Sequence, residues 1–554
     1  MPLKSNGKTK AVELDKKLRE IKVQEQEEES KSSASEFNLP FSDLKKAPVD
    51  PEALNIISED TARISKLAIL YKSGTKLAVA LLNPNDPDTQ KTLESLKKMR
   101  FELELMITTS EALERVWNRY KLTARPSVFR VGAIEIDEKE LFQLQSQIKD
   151  LNDIKNKLLG ISITKLLETL IAGALKTRTS DIHFEADLAN TRLRYRIDGI
   201  LNDVALIEKT YYEKLLNRVK ILSKLKLNLR NSPQEGRFTI KQQSVDIEVR
   251  ISLLPSEFGE TLVMKLLDPR NIHQKLEDLG FRPDFLELIK KQVKKSTGAM
   301  IMTGPTGAGK TTTLYALANS INSPGIKIIT IEDPIEYHVQ GISQTQVNPT
   351  KNYTFVTGLK SIVRQNPDVI LVGEVRDKET AEIALNAALT GHLVLTTLHA
   401  NNAAGAIPRL LDLGIKDQII APAINMIMAQ RLLRKLCPHC KISKKPTEPV
   451  LTKIKSILSP IKTRFDIPTI DSSLKIYSPG TCDKCQNSGY IDRTGVSEGF
   501  VMSKSLEALA LKTPAMSEVE SLAITEGMVT MIQDAYLKII SGITSVEEAD
   551  RFFS

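Results

Sequence analysis

From Gly304 to Thr311 the chain reads GPTGAGKT, a match to GxxxxGK[ST]. The apolar run AMIMT precedes it and TTLYALANS follows, so the motif lies between an expected strand and an expected helix, the context phosphate binding requires. Gly304, Gly307 and Gly309 let backbone N–H groups turn onto phosphate oxygens at a helix N-terminus, and Pro305, Thr306 and Ala308 complete the loop. Lys310 is expected to reach the β and γ phosphates. Thr311 would present its hydroxyl to Mg²⁺, and Thr312 would stand beside the α phosphate. A glycine-rich turn with a coincidental lysine does not account for the full spacing and its flanking elements.

Two further groups of residues have spacing that could do chemistry. DVILVGE, residues 368–374, is an apolar strand that delivers Glu374 at its carboxyl end, where ligands of a parallel sheet collect; there it would orient water or the metal shell. Cys437, Cys440, Cys482 and Cys485 form two CxxC pairs, the whole cysteine content of the chain. That doubling predicts a closed tetrahedral site of thiolates holding structural Zn²⁺, with His439 a bystander. Redox-active thiols are the alternative, which a single CxxC would favour more than a doubled one.

The elements that must position these groups are those of a multidomain protein, since 554 residues exceed one compact domain. A composition 41% hydrophobic and 26% charged excludes wholesale disorder. No stretch has the roughly 18 apolar residues that span a bilayer, and the first residues lead into charge, so a cytoplasmic location is expected. Net charge is +9, but 77 basic residues are interspersed with 68 acidic ones, mostly as solvated faces.

Residues 1–47 are rich in Lys, Glu, Ser and Gln and are expected to be a disordered tail. Short apolar runs over 48–122 predict a small α/β domain, and 123–160 a linker carrying a helix that ends at Gly160. Residues 161–270 open with a helical pattern and continue in alternating strands, DIHFEA, TRLRYRIDG, RFTIK and VDIEVRIS, a second α/β domain. From 271 to 430, runs apolar on both faces alternate with helical patterns, which predicts a parallel sheet covered by helices. A cysteine-bearing subdomain, 431–500, and helices over 501–554 close the chain.

Between the phosphate loop and Glu374 stands TIEDPIE, Thr330 to Glu336, and beyond them GHLVLTTLH, Gly391 to His399. With RYRIDG (194–199), SPQEGRF (232–238), EVRISLLPSEFGE (248–260) and VGEVRD (372–377), these motifs resemble, in order, those of the ATPases of type II secretion and type IV pilus assembly. The resemblance spans about residues 48–554. It implies a RecA-like P-loop motor core, a PAS-like α/β domain before it, a smaller N-terminal α/β domain, and a C-terminal zinc knot with helices.

By the same resemblance, Glu336 would be the general base that takes a proton from the attacking water, with Glu332 and Asp333 holding base and metal. Of His392 and His399, one would sense the γ phosphate while the other supports the acids; buried structural imidazoles are the alternative. Arg196, Arg237, Arg250, Arg364 and Arg376 match family positions, and those before the motor core would act as fingers across a subunit boundary. The implied assembly is a homo-hexamer binding ATP, Mg²⁺ and Zn²⁺. It would act peripherally at the inner face of the cell membrane, through an inner-membrane platform protein and a cytoplasmic adaptor.

Departures from the family pattern are Lys360 for the usual Arg, Glu235 for Asp, and Asp492 for the Gly expected after Tyr490. The tetracysteine insertion and the extra N-terminal domain favour the assembly and secretion motors over the shorter retraction motors. The segment 48–120 resembles only the later part of the family's first N-terminal domain, so tight cyclic di-GMP binding is not expected. Three rivals stand: a DNA-translocating or conjugative ATPase of the same superfamily, a subunit that binds ATP without turning it over, and a zinc-bearing nucleic-acid module. The last calls for interleaved basic and aromatic residues, whereas aromatics make up only 5% of the chain; no nucleic acid partner is expected.

Overall fold

The computed structural model describes residues 27–44, 49–54, 56–73, 75–99, 101–121, 132–136, 138–146, 151, 162–242, 245–269, 275–461, 467 and 469–553. The chain divides into two units, residues 1–129 and 130–554.

In the first unit, β1 (Leu67–Ser73) pairs antiparallel with β2 (Lys76–Leu81), and β2 pairs parallel with β3 (Glu102–Ile107). A parallel pair needs a crossover, which the helix Pro87–Lys98 supplies. Asp86 caps that helix by accepting the Thr89 N–H, and Lys97 and Lys98 lie in the last turn, where the dipole favours cations. The expected disordered tail is corrected for its second half. Residues 27–36 are helical, Ala34 is buried, and Ile107 exchanges backbone hydrogen bonds of 2.9 Å with Pro40 and Ser42. A few apolar side chains, Leu39 and Phe41 among them, anchor this segment against the sheet although its average composition is polar. Residues 1–26 and 45–47 of that expectation lie outside the described residues.

The second unit contains two large sheets. One has the strands β4 (Ala133–Glu135), β5 (Thr179–Ala186), β6 (Asn190–Ile197), β7 (Ile200–Glu208), β8 (Gln234–Lys241), β9 (Asp246–Ser256) and β10 (Gly259–Leu267). Their order is β4-β8-β9-β10-β5-β6-β7. The alternation in NTRLRYRI explains the orientation of β6: Leu193 and Tyr195 are buried among core side chains while Arg192 faces solvent. β4 falls in the expected linker, yet it pairs with β8 and so belongs to this sheet. Of the linker helix, Glu138–Ser146 is described; 147–150 and 152–161 lie outside the described residues. Behind the sheet, Lys220 and Glu260 form a buried ion pair of 2.7 Å.

The other sheet is the RecA-like core. Its strands are β11 (Gly298–Thr303), β12 (Ile328–Glu332), β13 (Ser343–Gln346), β14 (Val369–Val375), β15 (Leu393–Leu398) and β16 (Ile424–Leu436), all parallel. After an excursion carrying β17 (Ile442–Lys444) and β18 (Ile476–Ser478), β19 (Tyr490–Val501) returns antiparallel to β16, giving the order β13-β12-β14-β15-β11-β16-β19. Separate apolar clusters cover its two faces, one around Ile301, Val372 and Val394 and the other around Met300, Leu371 and Leu395. Full burial of successive residues on β11 and β15 is why these strands read as unbroken apolar runs.

The expected boundary at 430/431 falls inside β16, so it is corrected: β16 and β19 are core strands, and the cysteine module is the loop between them. C-terminal helices follow at Lys504–Ala510, Met516–Thr525, Met531–Ile540 and Val546–Phe553. Among the described residues no helix is long and apolar enough to cross a membrane.

Candidate active site

A cleft of about 450 Å³ opens at the carboxyl ends of the core strands. Its lining includes Thr306 to Thr312, Glu332, Asp333, Glu336, Glu374, Arg376 and His399. The phosphate loop takes its shape from glycines at positive φ, +138° at Gly304, +80° at Gly307 and +83° at Gly309. A Cβ on Gly304 would lie 2.5 Å from the Gln430 carbonyl, and one on Gly309 would lie 2.8 Å from the Gln430 amide, so close packing as well as conformation demands glycine at both. The helix Lys310–Ile321 starts at this loop and aims its N-terminus into the cleft. Lys310 Nζ donates to the carbonyls of Gly304 (2.7 Å) and Pro305 (2.9 Å). Burial holds this ammonium below the usual lysine range, with the Glu374 carboxylate opposing the shift.

The acids are arranged in three different ways. Glu332, at the end of β12, is buried and accepts from the hydroxyls of Tyr315 and Thr330 and from the Gln344 amide. So many donors fix its carboxylate in one orientation. Glu374, at the end of β14, pairs with Arg376 and lies 3.2 Å from His399 Nε2. Glu336 is bound by Arg250 Nη1 at 3.0 Å and Lys265 Nζ at 3.1 Å. Arg250 also donates to the Ile335 carbonyl and to Glu248. Both cations come from the first sheet, so the base candidate is where the two sheets meet.

The structure brings His399 into the cleft but not His392. The ring of His392 bonds the Ala387 carbonyl at 3.0 Å, at the opposite end of β15. Six strand residues separate the two imidazoles by roughly 20 Å. The cofactor-binding role expected for His392 is therefore corrected to a turn contact. Within the chain, Arg250 reaches Glu336. Arg196 pairs with Asp181 at 3.3 Å and Arg237 with Glu248 at 3.4 Å; neither lines the cleft, nor does Arg364, which is exposed at the end of the helix Phe355–Val363. Sequence reasoning missed Lys265 and Arg493, which line the cleft, and Gln430, which backs the phosphate loop. Lys265 had a signal: it stands directly opposite Arg250 on β10 and β9, and two like charges in register need an anion between them.

Whether the expected ions suit these residues can be tested on geometry. The four cysteine sulfurs lie within 4.8 Å of one another, with Sγ–Sγ separations of 3.7, 3.7 and 3.6 Å for the pairs 437/482, 440/485 and 482/485. A tetrahedron with Zn–S arms of about 2.3 Å has edges of about 3.8 Å, so the set fits zinc. In the cleft, the Thr311 hydroxyl with the Glu374 and Asp333 carboxylates is an all-oxygen set suited to a small hard cation such as Mg²⁺.

Comparison with known proteins gives the family. Residues 160–551 match the family model of the type II/IV secretion system protein, and residues 37–127 match that of the MshEN domain. The chain is 39% identical to the type II secretion system protein E of Xanthomonas campestris over 409 residues, 73% of this chain and 70% of that one. It is 33% identical to the type IV pilus assembly ATPase PilB of Myxococcus xanthus over 532 residues, 94% of this chain and 90% of that one. In fold it is similar to the ATPase DotB of Legionella pneumophila, with a TM-score of 0.50 at 20% identity, covering 70% of this chain and 95% of that chain. The chain belongs to the type II/IV secretion system protein family and is an ATP hydrolase.

Proposed function

We propose, with membership of this family as the premise, that the chain is a hexameric motor. It would hydrolyse Mg-ATP to drive type IV pilus assembly or type II pseudopilus extension. The observation that carries this reading is the meeting of Glu336 with Arg250 and Lys265: the acid follows β12 of the motor core, the cations stand on β9 and β10 of the other sheet. Such a joint lets a change at the terminal phosphate be felt as movement of one sheet against the other.

In this reading the loop from Gly304 to Thr312 holds the triphosphate, Lys310 neutralises its distal oxygens, and Glu336 takes the proton of the attacking water. Glu374 with His399 orients that water and the metal shell, Glu332 and Asp333 hold the acid turn in place, and Arg376 keeps Glu374 aimed. The four thiolates bind structural Zn²⁺ and close the excursion between β16 and β19. The ring acts at the cytoplasmic face of the inner membrane, on a platform protein and its adaptor. Relatives that serve type II secretion and type IV pilus assembly support both pathways.

The test is Mg²⁺-dependent ATP hydrolysis across sizing fractions of the purified chain, beside Lys310→Ala and Glu336→Gln. Turnover confined to a hexamer-sized species and lost in both variants is the expected result. Robust hydrolysis by a monomer sinks the ring, robust hydrolysis by Glu336→Gln sinks the base, and strong stimulation by DNA moves the chain to the DNA-translocating branch.

A further inference from the structure

Arg250 and Lys265 stand directly opposite each other on the antiparallel strands β9 and β10. Two cations so placed repel, and the pair is stable here because Glu336 lies between them and Glu248 flanks Arg250. The two do not hold the carboxylate in the same way. Arg250 has all three guanidinium nitrogens engaged, Nε on Glu248, Nη1 on Glu336 and Nη2 on the Ile335 carbonyl. These bonds use three of its five N–H donors, so a phosphate that takes a fork of this guanidinium competes with the partners it already holds. Lys265 makes its hydrogen bond to Glu336, is half-exposed, and lines the cleft itself.

We propose that Lys265 is the positioning residue for Glu336. Arg250 does not itself line the cleft, but Glu336, which it holds, does; a terminal phosphate arriving beside Glu336 competes for Arg250, because a planar guanidinium fork matches phosphate oxygens better than it matches the single carboxylate oxygen it now holds. Arg250 then leaves the carboxylate, which is freed on one oxygen to receive a proton while Lys265 retains the other. A diphosphate has no γ phosphate to draw Arg250 away, so with that ligand the carboxylate stays doubly bound. The pair therefore reads triphosphate against diphosphate, and Lys265 keeps the acid aimed in the interval when Arg250 is elsewhere. This inference rests on the reading of Glu336 as the base.

The experiment uses the full chain and compares Lys265→Met and Lys265→Arg with the parent in steady-state ATP hydrolysis, with Glu336→Gln in parallel. Lys265→Met is expected to lower kcat by about tenfold or more, within the range a misaligned general base costs, while KM for ATP stays nearly constant. Lys265→Arg should recover most of kcat, since it restores a cation at the same place. An intact KM in the Met variant also shows that its cleft is folded. A raised KM with unchanged kcat would make Lys265 a phosphate ligand and overturn the proposal, as would unchanged kinetics in the Met variant or a loss that Arg does not recover. Full turnover by Glu336→Gln is a separate outcome: it removes the base, not the placement of Lys265 beside it.

Discussion

Gln430 tests whether the phosphate loop owes its shape to its own glycines alone. Its side chain is buried on β16; the amide nitrogen donates to the Ala308 carbonyl at 2.9 Å and the amide oxygen accepts from the Thr313 hydroxyl at 3.0 Å. Replacing it by Met keeps the length and removes both partners, leaving a carbonyl in the loop and a hydroxyl in the following helix buried without hydrogen bonds. Each orphaned group costs about 1–3 kcal/mol, so Gln430→Met should cost roughly 2–6 kcal/mol in all. Part of that loss falls on the loop's bound shape, and 1.4 kcal/mol of it raises the dissociation constant for Mg-ATP about tenfold. Titration with a fluorescent ATP analogue measures this share, and thermal unfolding of the same variant measures the rest. Thr313→Val supplies an internal control: in the double variant neither half of that bond is left unpaired, so the combined loss should fall short of the sum by about 1 kcal/mol. If Gln430→Met bound nucleotide as tightly as the parent and melted at the same temperature, the loop would be self-supporting and the strut argument wrong.

Lys310 carries a pH prediction. Its ammonium is depressed below the usual lysine range by burial, and bound phosphates favour the charged form, so KM for ATP should rise as pH climbs through the depressed value toward about 10. A KM flat across that alkaline span would contradict it. Lys220→Met strips the buried partner from Glu260 and should destabilise its sheet by about 3–5 kcal/mol, and Glu260→Gln added to it should recover part of that, read by thermal unfolding. Metal analysis should find one zinc per chain in the parent and none in Cys440→Ala. That variant should melt earlier yet keep its Mg-ATP affinity, because the thiolates close a loop outside the cleft.

Much of the site was readable in the residues because local chemistry demanded them. Backbone donors can wrap phosphate only where glycine permits positive φ, and GPTGAGKT shows that without any tertiary knowledge. The CxxC pairs were legible for the same reason: each pair supplies two ligands within one short turn. His392 and His399 looked equivalent because both flank one apolar run, and only the direction of β15 in a parallel sheet decides which imidazole reaches the ligand edge. The run of β16 past residue 430 was hidden because cysteines follow it closely and invite a boundary there. Gln430 and Arg250 act on residues 117 and 86 positions away along the chain, and no periodicity reports a contact of that range.

These long-range contacts share a pattern that bears on how work could leave the site. The phosphate loop is backed from β16 by Gln430, and the base candidate is held from β9 and β10 by Arg250 and Lys265. The turn after His399 is tied by Glu498 of β19, whose carboxylate accepts the Ala403 N–H at 2.8 Å and the N–H of Met531, the first residue of a C-terminal helix, at 2.9 Å. Burial pushes that carboxyl above the usual range, which the two backbone donors oppose. Two of these three supports belong to the sheet that carries the phosphate loop, and the third belongs to the other sheet. If the first two stay fixed through a cycle, the third is the joint that nucleotide can loosen without dismantling the cleft. A motor needs that asymmetry: one boundary that yields when a phosphate arrives, and a frame that does not.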